Sequence, residues 1–241
     1  MKLEIANISD QVGAPAFQAA VAAISQQVAE HFQPEWGTAA DITGTMVPLA
    51  NRKAPIAGDR DAIIYLGDSS QDPTTGVENA LGYHATNQGS IPYGFIYLDI
   101  VAEAGEEWTT TLSHEVLELL ADPDATMTVT GPAPRGAASH VHYDLEVCDP
   151  TQGDSYKIDN VSVSNFVGRS YFGLKNGSGK SNYLGLPLDP FGVRPKGYFQ
   201  YEDGVGGTHQ IMGRQVTPDQ RAAKQKMGEV RRNRRREDRI K

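Results

Sequence analysis

The sequence predicts an α+β protein: a mixed sheet with helices in its first part, a β-rich stretch after it, and a basic terminal helix or tail. Three observations carry this expectation. Apolar residues recur at helical spacing in two segments, Phe17, Val21, Ile24, Val28 and Phe32, then Trp108, Leu112, Val116, Leu119 and Leu120. Short β-type runs bounded by Gly, Pro, Asn and Asp surround both segments and dominate after residue 125. The charge is also divided: Arg221 to Lys241 holds 10 basic and 3 acidic residues, whereas the chain before it holds 12 and 27, for a net charge of -8. The expected division is 1–125, then a β-rich 126–216, then a basic helical or disordered 217–241.

Taken in order, Lys2 to Ile8 alternates loosely as a first strand. A helix follows Gly13, and Pro34 and Gly37 are expected to close it. Asp41 to Leu49 and Asp61 to Gly67 read as strands, the second apolar enough in Ala62-Ile63-Ile64-Tyr65-Leu66 to lie between two neighbours. Asp68 to Ile91 turns polar and Gly-rich and is expected to be a long surface loop. Tyr93 to Asp99 is the next strand, either an edge open to an extended peptide or a plain core strand, and Glu106 opens the second helix, which Asp122-Pro123 ends.

Beyond that helix, Thr126 to Thr130 and Ser139 to Cys148 read as strands, and Tyr156 to Val163 as a hairpin turning at Asp159-Asn160. Gly197 to Tyr201 and Thr208 to Met212 are at best short strands. Thr217-Pro218-Asp219-Gln220 offers an N-cap, a proline at the first helical position and a capping-box glutamine.

Composition narrows the chemistry. With 241 residues, 39% of them apolar, the chain can close a core. No run reaches the ~18 to 20 apolar residues of a membrane span, and Met1-Lys2-Leu3-Glu4-Ile5 does not open an apolar leader, so a cytoplasmic protein without signal peptide or membrane is expected. One cysteine, Cys148, excludes an internal disulfide and any multi-thiolate zinc site. A bound metal is therefore expected to use His, Asp or Glu, with Cys148 a small packing residue whose acidic neighbour disfavours the thiolate.

Ser113-His114-Glu115-Val116-Leu117-Glu118 is the most informative segment. His114 and Glu118, four apart on a helix, project from one face and can grip one ion. Glu115 lies about 100° around from His114, placed to act as general base on a water held there. The ordinary reading of the same residues is the solvent-facing side of an amphipathic helix.

This helix resembles the active-site helix of zincin metallopeptidases, whose pattern is His-Glu-x-x-His, with Glu118 standing where the second His would be (an HExxE variant). Ser113-His114-Glu115 with Leu117-Glu118, then Ala121-Asp122-Pro123 and Glu146-Val147-Cys148-Asp149-Pro150, is similar to a group of bacterial and phage proteins of the zincin-like class. The resemblance implies a zincin-like fold and a zinc-dependent peptidase acting on a peptide or protein, with calcium or another divalent metal as alternative. It also leaves room for release or packaging by a phage. In zincins a third ligand comes from further along the chain; Glu146 is favoured here, with Asp149 as fourth ligand or as the residue orienting His114, and His142 as competitor. Period-two alternation would put His140, His142, Asp144 and Glu146 on one strand face. A set of His114, Glu118 and Glu146 leaves a position open for water.

Further candidates are weaker. Tyr156, Tyr171, Tyr198 or His209 could stabilise an oxyanion. In the tail, Arg231, Arg232, Arg234, Arg235 and Arg236 suit phosphate contacts, so nucleic acid or an acidic protein is a candidate partner, a solvated tail being the plain alternative. A catalytically inert, metal-stabilised binding or structural protein is the rival to the peptidase.

Overall fold

The computed structural model describes residues 1–48, 59–69, 82–86, 91–134, 140–218 and 220–221, with residues 82–86 described by their backbone. The chain is a mixed α/β protein whose contacts divide it into two units: Met1–Asp124 with Ser155–Ser164, and Ala125–Asp154 with Asn165–Lys241. The hairpin at 155–164, expected within the β-rich part, thus belongs to the first unit. No helix among the described residues is long and apolar enough to cross a membrane.

The first unit is built on a five-stranded mixed sheet of β1 (Lys2–Asn7), β2 (Asp41–Met46), β3 (Ala62–Gly67), β4 (Gly82–Thr86) and β5 (Pro92–Tyr97), in the order β2-β1-β3-β5-β4. The pairs β1–β2, β1–β3 and β3–β5 are parallel, and β4 runs antiparallel to β5. Strand β3 lies between two neighbours, and Ala62, Ile64 and Leu66 are fully buried, which is why its sequence is a nearly continuous apolar run.

Strand β4 corrects the expected long loop, and it also takes the edge from β5, which has a partner on each side. An edge strand needs few apolar residues, so Gly82-Tyr83-His84-Ala85-Thr86 carries little of the pattern that marks interior strands.

Helix α1 (Ala14–Gln26) covers this sheet with Phe17, Ala20, Val21 and Ile24 buried. It lies close enough to β2 that a Cβ on Gly44 would stand 2.7 Å from Val21 Cγ2. The helix does not stop at Pro34. A π-helical turn, Gln27–Phe32, leads into α2 (Gln33–Trp36), and the Gln33 N–H reaches Val28 O. The wider turn before the proline relieves the clash its ring would otherwise make with the carbonyl four residues back. Gly37, at φ 79°, ends the helix with its N–H on Gln33 O.

After β5 the chain turns at once into α3 (Leu98–Glu103), a short helix where strand was expected to continue to Asp99. Helix α4 (Trp108–Ala121) follows and packs against β4, β5 and the hairpin of β8 (Ser155–Ile158) and β9 (Val161–Ser164). That hairpin turns at Asp159 (φ 46°) and Asn160 (φ 68°), the two positive φ angles a tight two-residue turn requires.

The second unit holds an antiparallel sheet of β6 (Thr128–Pro132), β7 (His140–Asp144), β10 (Tyr198–Glu202) and β11 (Thr208–Met212), in the order β11-β10-β7-β6. One face packs aromatic rings: Tyr143 lies 4.6 Å from Phe191, 5.0 Å from Phe199 and 5.7 Å from Tyr201 between centroids. Gly131 makes room for this cluster, since a Cβ there would stand 2.5 Å from the Phe191 ring. The other face is polar: Gln210 donates to Gln200 (3.2 Å), which donates to the buried Asp144 (2.8 Å).

The Tyr143 hydroxyl donates to Pro132 O at 2.7 Å. Burial first, and then the charge of Tyr201, push its pKa from 10.0 to about 12. A pKa raised by folding contributes stability that is complete below the unfolded value and is lost as pH rises through the folded one. Stability should therefore fall between pH 10 and 12. Denaturant titrations across that window should show a shallower decline for Tyr143→Phe; equal slopes would refute the assignment.

At the end of the described chain, Thr217 and Gln220 form the expected capping box, Gln220 N donating to Thr217 Oγ1 at 3.3 Å and Thr217 N to Gln220 Oε1 at 3.1 Å. The arginines at 231, 232, 234, 235 and 236 lie outside the described residues.

Candidate metal centre

In the first unit the site is the middle of α4. The Thr110 and Thr111 N–H groups bond Glu107 O at 3.0 and 3.1 Å, starting the helix, and Asp122 N closes it on Glu118 O at 2.8 Å. Every residue from Leu112 to Leu120 is buried, so the segment is not the solvent face of an amphipathic helix. His114 Nε2 stands 3.2 Å from Glu118 Oε2, one helical turn apart as the spacing requires. Glu118 is 0% exposed and Glu115 4%. Carboxylates are seldom buried to this degree without a compensating charge.

The helix is fixed at the adjacent residue. Ser113 Oγ accepts the Ser164 N–H at 2.7 Å, and Gln27, on the π-helical turn, donates to Ser164 O at 2.8 Å and to the Tyr156 hydroxyl at 3.1 Å. The Tyr156 oxygen also stands 2.9 Å from His31 Nδ1, so this oxyanion candidate is engaged inside the first unit.

In the second unit the chain leaves the sheet after Asp144, and this corrects the expected strand from Ser139 to Cys148. Leu145 N bonds Met127 O (3.1 Å), and Val147 O accepts from Val167 N (2.7 Å). A short 3₁₀ turn at Asp149–Thr151 follows, with Thr151 Oγ1 on Cys148 O (3.1 Å) and Asn165 O (3.0 Å). Arg194 N holds Pro150 O at 2.8 Å. The segment is tied down from several directions, and Glu146, Cys148 and Asp149 are buried at 4%, 0% and 2%.

Because the strand ends at Asp144, Glu146 does not share a strand face with His140 and His142. Both histidines are exposed, and His142 Nδ1 lies 3.2 Å from Thr130 Oγ1. The other oxyanion candidates are also placed: the Tyr171 hydroxyl donates to Gly192 O at 2.7 Å, Tyr198 is buried in β10, and His209 Nε2 stands 2.7 Å from Asp203 Oδ2. Burial, then the charges of Tyr143 and Asp149, hold the Tyr171 pKa well above its usual value.

Each unit by itself buries donors of the kind that could hold a metal ion: His114, Glu115 and Glu118 on α4 in the first, and Glu146, Cys148 and Asp149 in the second. Cys148, expected to be a small packing residue, is fully buried.

Fold and donors thus define a mixed α/β protein with buried His, Glu, Cys and Asp side chains, donor types that could hold a metal ion. Comparison of the chain with family models, curated proteins and solved structures found no match.

Proposed function

We propose that the chain is a zincin-like, metal-dependent hydrolase that cleaves peptide bonds. The observation that carries this reading is the buried His114–Glu118 pair at 3.2 Å on α4, with the buried Glu115 next to His114. His114 and Glu118 would hold a divalent ion. An imidazole nitrogen among the donors fits zinc better than calcium. When bound, such an ion acidifies water and polarises a carbonyl. Glu115 would accept a proton from water and return it to the leaving amine, while the Ser164 N–H bond to Ser113 Oγ ties α4 down beside His114.

A second reading has one observation in its favour. The second unit by itself buries Glu146 and Asp149, oxygen donors that suit calcium in a catalytically inert binding or structural protein. Its basic tail would then dock nucleic acid or an acidic partner.

Elemental analysis of untagged protein separates them. Zinc in the wild type that falls in His114→Ala supports the hydrolase; calcium in its place supports the inert protein. No bound divalent ion after reconstitution overturns both.

A further inference from the structure

We infer that the first unit carries a proton-operated latch: a proton taken up by His31 reverses the hydrogen bonds through Tyr156 and Gln27 and frees Ser164, the hairpin residue that braces α4. The inference goes beyond the proposed function and does not rest on a bound metal. Every group in it belongs to the first unit.

The geometry fixes the direction of the chain of bonds. Gln27 is 0% exposed, and its Nε2 lies 2.8 Å from Ser164 O, which can only accept. The amide nitrogen must therefore face the hairpin, and its second N–H goes to the Tyr156 oxygen at 3.1 Å. The Tyr156 O–H is then the donor to His31 Nδ1 at 2.9 Å, which requires a neutral ring with its proton on Nε2. One atom is left over: Gln27 Oε1 is buried and has no hydrogen-bond partner among the described residues. It sits on a π-helical turn, a form that recurs at functional sites.

When His31 takes a proton from solvent, Nδ1 becomes a donor and turns the Tyr156 O–H away. Turning the Gln27 amide over brings Oε1 to the place of Nε2, where it accepts the Tyr156 proton but stands against Ser164 O, acceptor against acceptor. The Gln27–Ser164 bond is lost, and with it support for the Ser164 N–H that holds Ser113 Oγ at 2.7 Å. Burial lowers the His31 pKa below its usual 6.5, and Glu30 on the same turn opposes this. Helix α1 has no ionisable residue and α2 has Glu35; from β8 the Tyr156 hydroxyl faces the ring, and Lys157 lies on the other side of that strand. The contribution of the latch is thus complete above pH 6.5 and is lost as pH falls through the lowered value.

Nuclear magnetic resonance of the full chain tests this. At the alkaline end the His31 ring nitrogens should report the Nε2–H tautomer, and the Nδ1–H tautomer overturns the inference. From about pH 7.5 to about pH 5, solvent exchange of the Ser164 amide, divided by its intrinsic rate, should rise about 3- to 10-fold, the worth of one buried hydrogen bond. His31→Gln, which cannot take the proton, and Tyr156→Phe, which cuts the chain of bonds and keeps the ring, should show no such rise. The wild-type measurements decide even if a variant fails to fold. An unchanged Ser164 amide in the wild type, or the same rise in His31→Gln, overturns the latch and leaves the proposed function standing.

Discussion

Glu115→Gln should reduce hydrolysis of a mixed library of unstructured peptides by about 10²- to 10⁴-fold, the usual contribution of a positioned general base. The substitution keeps the shape of a side chain that is 4% exposed and removes its ability to accept a proton. It should therefore leave the fold and the bound metal unchanged, and rate and metal content must be measured on the same preparation. A variant that keeps its metal and cleaves at the wild-type rate would sink the role given to Glu115. A wild type that binds metal and cleaves no peptide would favour the inert protein.

The second large effect is expected far from α4 in the sequence. Gly197 packs against the turn that carries Asp149: a Cβ added there would stand 2.2 Å from Pro150 O, 2.6 Å from Pro150 C and 3.0 Å from Asp149 O. These are backbone atoms, and the turn is already held by Arg194 N on Pro150 O. Gly197→Ala should cost about 1 to 3 kcal/mol of stability by overpacking. Gly204→Ala is the control, since nothing lies within 4 Å of the added Cβ. Urea denaturation of both variants would test the effect. If Gly197→Ala and Gly204→Ala behave alike, Gly197 does not support the turn.

The legible parts of the fold were those where one residue pattern had one physical outcome. Phe17, Val21, Ile24 and Val28 must share a face, Ala62 to Leu66 suits a strand with two neighbours, and Asp159-Asn160 tolerates paired positive φ angles. What escaped depended on partners distant in sequence. Strand β4 is defined by its pairing with β5 rather than by its own composition, and α3 is too short to develop a helical period. The alternation of β7 runs on in sequence to Cys148, but the chain bends away because Val147 O and Pro150 O bond elsewhere.

The site divides in the same way. His114 and Glu118 were readable because helix geometry alone brings i and i+4 together. Glu146 and Asp149 were named only through resemblance, as no periodicity links them to α4.

The excursion of the hairpin into the first unit bears on how the protein can be made. The chain leaves the second unit at Asp154 and returns at Asn165, where Asn165 N bonds Asp154 O at 3.0 Å. Ser164, at the far end of that excursion, supplies the backbone groups that Ser113 and Gln27 use. A fragment ending at residue 124 would thus lack part of its own interior, and on the ribosome the helix bearing His114 cannot gain its full set of bonds until residue 164 has emerged. The order of synthesis delays completion of α4 until residues 125–154 of the second unit are already outside.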